Sequence, residues 1–224
     1  MTTGRFQAAI GRKIAINRSL MARTHSSIMR QAAIGPLGTA GQILDVAERL
    51  AQLRGFNGFS DADVTKELGI TEASLHYHFP EKASLGRALV DRYSASFTEA
   101  LSRIEKSGAA APARLERYVA IYAGMLKSGR ICLCGMLAAE YNTLPASMQE
   151  AIRAFFDSNE RWLASVLESG RKDGTLAFDG RPEEAARAIT SAIEGAMLLA
   201  RLHGRAEQFT SAAQRVLNDF AVAR

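Results

Sequence analysis

Long apolar runs are missing from this chain. No stretch approaches the roughly 18 residues that a membrane span needs, so no bilayer-crossing helix and no membrane partner are expected. Cysteine is scarce, and the two present, Cys132 and Cys134, are separated by a single residue. That spacing excludes a disulfide framework and points to a reducing, cytoplasmic setting. Proline occurs only five times in 224 residues, which leaves room for long uninterrupted helices. Acidic residues are absent from the first 44 positions, where Arg5, Arg12, Lys13, Arg18, Arg23 and Arg30 carry +6 against +5 for the whole chain. The remainder is thus almost neutral, and the pI near 9.5 belongs to the N-terminal stretch. No His, Cys, Asp and Glu pattern has metal-ligand spacing, and no nucleophile comes with a base, an oxyanion element or a cofactor loop. No metal, no cofactor and no catalytic residue is expected, and the protein is read as no enzyme.

What is present is one informative stretch, Ser60 to Lys82, with the spacing of a helix-turn-helix. Ser60 with Asp63 gives the pattern of a capped N-terminus, and Val64 and Leu68 form one apolar face. Gly69 supplies the turn and Ile70 plugs between the helices. Thr71 is placed to cap the second helix, which leaves Glu72, Ala73 and Ser74 on an outward-facing first turn and Leu75 facing in. Small polar residues at that turn suit entry into a major groove, and they suit any exposed helix start as well.

The continuation Leu75-His76-Tyr77-His78-Phe79-Pro80-Glu81-Lys82 decides between these. With Gly69, Ile70 and Thr71 it resembles the DNA-binding region of the TetR/AcrR family of bacterial transcriptional regulators, Gly-Val/Ile-Ser/Thr followed after three residues by Leu-Tyr-x-Tyr/His-Phe-x-x-Lys. Leu44 to Gly55 and Phe59 match the family's first helix, and the resemblance covers about residues 39–106. It implies an all-α fold: a three-helix DNA-binding domain at 39–84 and a larger helical ligand-binding and dimerisation domain at 85–224, after a basic extension at 1–38. It implies a ligand-responsive regulator in a bacterial cytoplasm, nucleoid-associated when bound, repressing through a palindromic operator in double-stranded DNA. The DNA contacts it implies are Thr39, Ser60, Thr71, Glu72, Ala73, Ser74, His76, Tyr77 and Lys82, with Lys82 holding a phosphate. One departure is Asp61, where relatives carry a hydrophobic or aromatic residue, and eight basic against ten acidic residues over 39–106 do not make a basic patch. For the extension three readings stand: a phosphate-binding arm that would bind DNA regardless of sequence, a solvated tail, or translation beginning at Met21 or Met29.

Downstream, apolar residues recur at three- and four-residue spacing. Thr39 with Gln42 reads as a capping box opening a first helix that buries Ile43, Leu44, Ala47, Leu50 and Ala51. A long helix is expected from Lys82 to about Ile104, which in the family transmits ligand binding by its tilt. A further helix starts at Pro112, another spans Pro145 to Gly170 and is closed by that glycine, and a last pair begins near Pro182 and Ala206. The helices over 145–170 and 181–203 have more apolar surface than one partner needs, which points to a homodimer through a four-helix bundle.

The segment Ile131 to Tyr141 resembles a subgroup with Cys-x-x-Gly and a downstream Glu beside an effector pocket. A pocket for an unknown small-molecule effector would draw on Phe97, Tyr118, Tyr122, Cys134, Glu140, Phe155, Trp162 and Met197. Glu140 in apolar surroundings needs a partner. Cys132 and Cys134 admit a thiol or electrophile switch, against the commoner role of buried cysteine as a small hydrophobe.

Overall fold

The computed structural model describes residues 38–222, so the basic extension expected over 1–38 lies, except for Gly38, outside the described residues. Among the described residues the chain forms nine α-helices: α1 (Thr39–Arg54), α2 (Asp61–Leu68), α3 (Glu72–His78), α4 (Lys82–Lys106), α5 (Ala111–Lys127), α6 (Leu133–Ala139), α7 (Ala146–Lys172), α8 (Pro182–His203) and α9 (Ala206–Asn218). One 3-10 turn, Tyr141–Thr143, follows α6, and Leu176 pairs with Ala221 in an isolated antiparallel bridge. The fold is all-α, as expected.

The helix boundaries follow local chemistry. The Asp63 amide donates to Ser60 Oγ at 3.3 Å, and the Ser60 amide donates to Asp63 Oδ2 at 2.8 Å, so the box opening α2 is complete. Gly69, at φ 65°, ends that helix in the left-handed region where a side chain would be strained. Thr71 Oγ1 accepts from the Ser74 amide at 3.2 Å and starts α3. α1 differs from expectation: Thr39 is already helical, and it is the Gly38 carbonyl that accepts from the Gly41 and Gln42 amides. Its buried face takes Val46, while Leu44 is half-buried.

α7 also runs past its expected end. Gly170 sits inside the helix because two neighbours press against it; a Cβ there would lie 2.6 Å from Ala111 Cβ and 2.5 Å from Leu176 Cδ1. The turn that follows lies where Lys172-Asp173-Gly174 implies one, with Gly174 at φ 73°.

α7 and α8 pack as neighbours, α9 covers α8 and α5, and α4 lies against α7, α5 and α6. Leu85, Leu89, Leu115, Leu137, Met148, Ile152, Ile189 and Ile193 are buried in this core, each contributing about 1.5–3 kcal/mol relative to exposure. Gly86 is the tightest point on α4: a Cβ would meet Phe56 Cζ at 2.6 Å and Met148 Sδ at 2.4 Å. Outside the core, Leu198, Leu199 and Leu202 stand exposed on the last turns of α8.

Candidate functional site

The α2–α3 unit presents one face. Thr71, Glu72, Ala73, His76 and Tyr77 are exposed, Ser74 is half-buried and Leu75 is buried beneath them. Tyr77 is 84% exposed, its ring meeting His78 edge-on with centroids 5.1 Å apart. Ser60 is exposed but occupied by its cap, and Thr39 is half-buried in the first turn of α1. The acids around this face are largely engaged: Arg49 pairs with Glu67, Arg54 lies 3.8 Å from Asp63, and His76 lies 3.9 Å from Asp61.

Lys82 has partners within the protein: its ammonium donates to the Phe59 carbonyl and lies over the rings of Phe56 and Phe59, 4.8 and 4.6 Å from their centroids. Burial lowers its pKa, opposed by the carboxylates of Asp61, Glu140 and Asp63. The motif lysine therefore ties the start of α4 to the loop before α2, and cation–π attraction of this kind contributes about 0.5–2 kcal/mol.

Glu140 has such partners as well, and the two sets share Phe56. Its Oε2 accepts from the Phe56 amide at 2.8 Å, from the Asn57 amide at 3.2 Å and from Asn57 Nδ2 at 3.3 Å. Gly55 makes room for it: a Cβ there would lie 1.9 Å from Glu140 Oε1, and its φ of 83° disfavours a side chain independently. Two further bonds grip the same end of α1. Gln52 Nε2 donates to the Ile131 carbonyl at 2.8 Å, and Arg201 donates to the Gln52 and Leu53 carbonyls, both at 2.6 Å. A guanidinium on the last carbonyls of a helix satisfies orphan acceptors and complements the helix dipole. Residues 52–57 are thus held by the two flanks of α6 and by α8.

The interior brings together most of the expected pocket residues. Phe97 lies against Tyr118, Tyr122 and Phe155 with centroid distances of 6.3, 5.7 and 5.2 Å, and Tyr118 stacks on Trp162 at 5.8 Å. Met197 Sδ accepts from the Cys132 amide at 3.1 Å, and Cys134 is fully buried. Glu140 is not part of this cluster. Three polar residues that the sequence reading passed over are: Asn159, Thr190 and Glu194. Asn159 Nδ2 donates to the Tyr122 hydroxyl at 3.2 Å, which lies 3.1 Å from the Tyr118 hydroxyl. Thr190 lies beside Tyr118, and Glu194 faces Cys132 from above Gly135, whose missing side chain would otherwise fall 2.3 Å from Glu194 Oε2. The signal was there in the pattern: Thr190 and Glu194 are one helical turn apart, each beside a buried isoleucine of α8.

Electrostatics in this interior are one-sided. Burial pushes the Glu194 carboxyl up to about 7, eased by the Cys132 thiol. Burial also raises Cys132 and Cys134 well above the ordinary thiol value, reinforced by the Glu194 carboxylate. Thiolates are the reactive form, and this burial disfavours them at both cysteines. In native protein at neutral pH, a chromogenic disulfide reagent is expected to react at least about a hundredfold more slowly than in urea. Comparable rates would show a thiol open to modification and favour the switch reading.

Among the described residues no group of three or more His, Cys, Asp or Glu is placed to hold a metal, and no helix is long and apolar enough to cross a membrane.

Comparison with known proteins converges on the same two halves. Residues 43–89 match the family model described as bacterial regulatory proteins, tetR family, and residues 111–216 match the tetracyclin repressor-like C-terminal domain. A crystal structure of a TetR-family transcriptional regulator from Agrobacterium tumefaciens superposes with a TM-score of 0.80 at 33% identity, covering 82% of this chain and 97% of that one. The HTH-type transcriptional repressor NemR of Escherichia coli is 28% identical over 82% of this chain and 94% of its own length. Its structure in a reduced form has a TM-score of 0.72. The transcriptional regulator AcuR of Cereibacter sphaeroides is 28% identical over 70% of this chain and 74% of its own length. The chain belongs to the TetR family: it is a ligand-responsive, DNA-binding transcriptional repressor with a helix-turn-helix at its N-terminal side and a helical regulatory domain behind it.

Proposed function

We propose that the protein represses by binding a twofold-symmetric operator as a homodimer in a bacterial cytoplasm, and that a small effector held in the regulatory domain releases it. The observation that carries the DNA half is the face of α3. Its cap is intact, Leu75 anchors it, and Tyr77 and the Thr71–Ser74 turn project outward. Residues 39–84 read the DNA and 85–224 respond to the effector. Two such helices in successive major grooves stand about 34 Å apart, and the dimer that sets this distance forms through the helices over 145–170 and 181–203. The exposed Leu198, Leu199 and Leu202 on α8 support that interface, since clustered apolar side chains are costly to leave in water.

Release works through the joint at residues 52–57. An effector that favours one position of α6 and α4 moves Glu140 and the Lys82 anchor with them, and operator affinity falls by the effector's preference for the released state. A fluorescence-anisotropy titration against the protein's own upstream DNA and a scrambled duplex, at two salt concentrations, tests the reading. Selective binding with two protomers per site is expected at physiological salt, weakened at least about fivefold by Tyr77→Ala, since each lost DNA contact costs about 1–3 kcal/mol. Equal affinity for both duplexes, collapsing as salt rises and indifferent to Tyr77→Ala, would instead assign binding to the basic extension.

A further inference from the structure

The interior cluster has a chemical sign that narrows what it can hold. Asn159 and Thr190 are 1% and 5% exposed, yet Asn159 Oδ1 has no hydrogen-bond partner among the described residues, and Thr190 Oγ1 has none beyond its approach to the Tyr118 side chain. Glu194 is partly exposed as a residue, but its Oε1 is shut off from solvent and equally unpartnered. Buried polar atoms are nearly always satisfied, so three in one cluster mark a place where something else completes the bonding. All three atoms are able to accept, and one carries negative charge. No basic side chain contributes to the charge state of Glu194; the groups facing it are Cys132, Cys134, Tyr93, Tyr118 and Tyr122, all neutral and all raised by burial. Around them stand aromatic faces, which attract cations.

One member of the cluster, Asn159, also lines a cleft. A cleft of about 170 Å³ between α4 and α7 is lined by Phe97, Phe155 and Asn159, together with the ion pair of Arg87 and Asp91. Asn159 is the link inward, since its Nδ2 holds the Tyr122 hydroxyl.

We propose that the effector is an organic cation bearing N–H donors, a primary ammonium or its like, that enters between α4 and α7 and places its charge on Glu194, Asn159 Oδ1 and Thr190 Oγ1. This rests on the regulator reading above and specifies its ligand. An anionic effector is disfavoured by the same geometry: at the interior atoms it would meet a carboxylate, and Arg87, the basic residue lining the cleft, is paired with Asp91 at 2.9 Å. Occupying the cleft pushes on α4, the helix that starts at the Lys82 anchor. The carboxyl must be ionised to receive the cation, so binding strengthens as pH rises through about 7.

The test uses the full chain and its single tryptophan, Trp162, which stacks on Tyr118 and reports on the cluster without labelling. Benzylammonium and n-butylammonium serve as probes, with benzyl alcohol and benzoate as neutral and anionic counterparts. A saturable fluorescence change is expected with an ammonium probe, at least tenfold weaker with benzyl alcohol and absent with benzoate. The ammonium affinity should rise about tenfold from pH 6 to pH 8, as the ionised fraction of a group titrating near 7 grows from about a tenth to about nine tenths. Glu194→Gln should weaken ammonium binding at least tenfold, and Thr190→Val, which removes one acceptor and keeps the shape, should weaken it several-fold with the fold intact by circular dichroism. Binding of benzoate or benzyl alcohol as tight as that of the ammonium, no response to either ammonium, or wild-type affinity in Glu194→Gln overturns the proposal. Selective operator binding measured without amine is judged separately, so a failed amine titration leaves the regulator reading standing. Amine binding without selective DNA binding upholds the site and overturns that reading.

Discussion

Replacing Glu140 by alanine is expected to lower the melting temperature by roughly 5–10 °C, the equivalent of about 2–3 kcal/mol in a chain of this size. The estimate follows from what the carboxylate holds. It receives the part-buried Phe56 amide at 2.8 Å and two groups of Asn57, and a hydrogen bond to a charged acceptor contributes about 1.5–3 kcal/mol. Once it is removed, the Phe56 amide loses that acceptor. Glu140→Gln, which keeps an acceptor and loses the charge, should cost less. Gly55→Ala should resemble Glu140→Ala, because its Cβ would displace the same carboxylate. The double variant should then cost little more than either single change, since the two act on one contact. Differential scanning calorimetry of the four proteins decides the matter; an unchanged transition in Glu140→Ala would mean that the joint is not held this way in solution.

The second large effect is a pH dependence of stability centred on Glu194. Its folded value, about 7, stands above the ordinary 4.5. A carboxyl raised on folding takes up a proton as the chain folds, so its contribution is fully present below about pH 4.5 and is lost as pH rises through 7. That gap is worth about 3 kcal/mol. Urea melts of wild type and Glu194→Gln at pH 5 and pH 8 should show the variant gaining about 2–3 kcal/mol relative to wild type between the two conditions, because the amide does not titrate. A constant difference would mean that the Glu194 carboxyl is solvated and ordinary.

How much of this was legible in the sequence depends on whether a residue acts locally. Ser60, Gly69 and Thr71 fix helix ends within three or four residues of themselves, and all three do so as their spacing implied. The same holds for Pro112 in the first turn of α5. Residues whose partners lie far along the chain were less legible. Lys82 matches its motif by position, but its direction is set by Phe56 and Phe59, more than 20 residues earlier. Glu140 needed a partner, and that partner is a backbone turn 83 and 84 residues away. Gly170 read as a stop because glycine often is one; its reason is the approach of Ala111 and Leu176. Glu194 was passed over because α8 is dominated by alanine and isoleucine, and one carboxylate at the margin of an apolar face looks like solvent until the facing helix is known.

The grip on residues 52–57 has a consequence for exchanging parts between regulators. The reading head of such a protein invites transplantation, since its sequence signature ends near Lys82 and its fold looks separable. Here the seam is not at that boundary. Three of its fastenings, the Ile131 carbonyl, Glu140 and Arg201, come from the receiving body, and their counterparts Gln52, Gly55 and Phe56 come from the donated head. A hybrid cut between α3 and α4 inherits half of each pair, so compatibility is decided by residues that touch neither DNA nor effector. Heads and bodies are interchangeable only as matched sets.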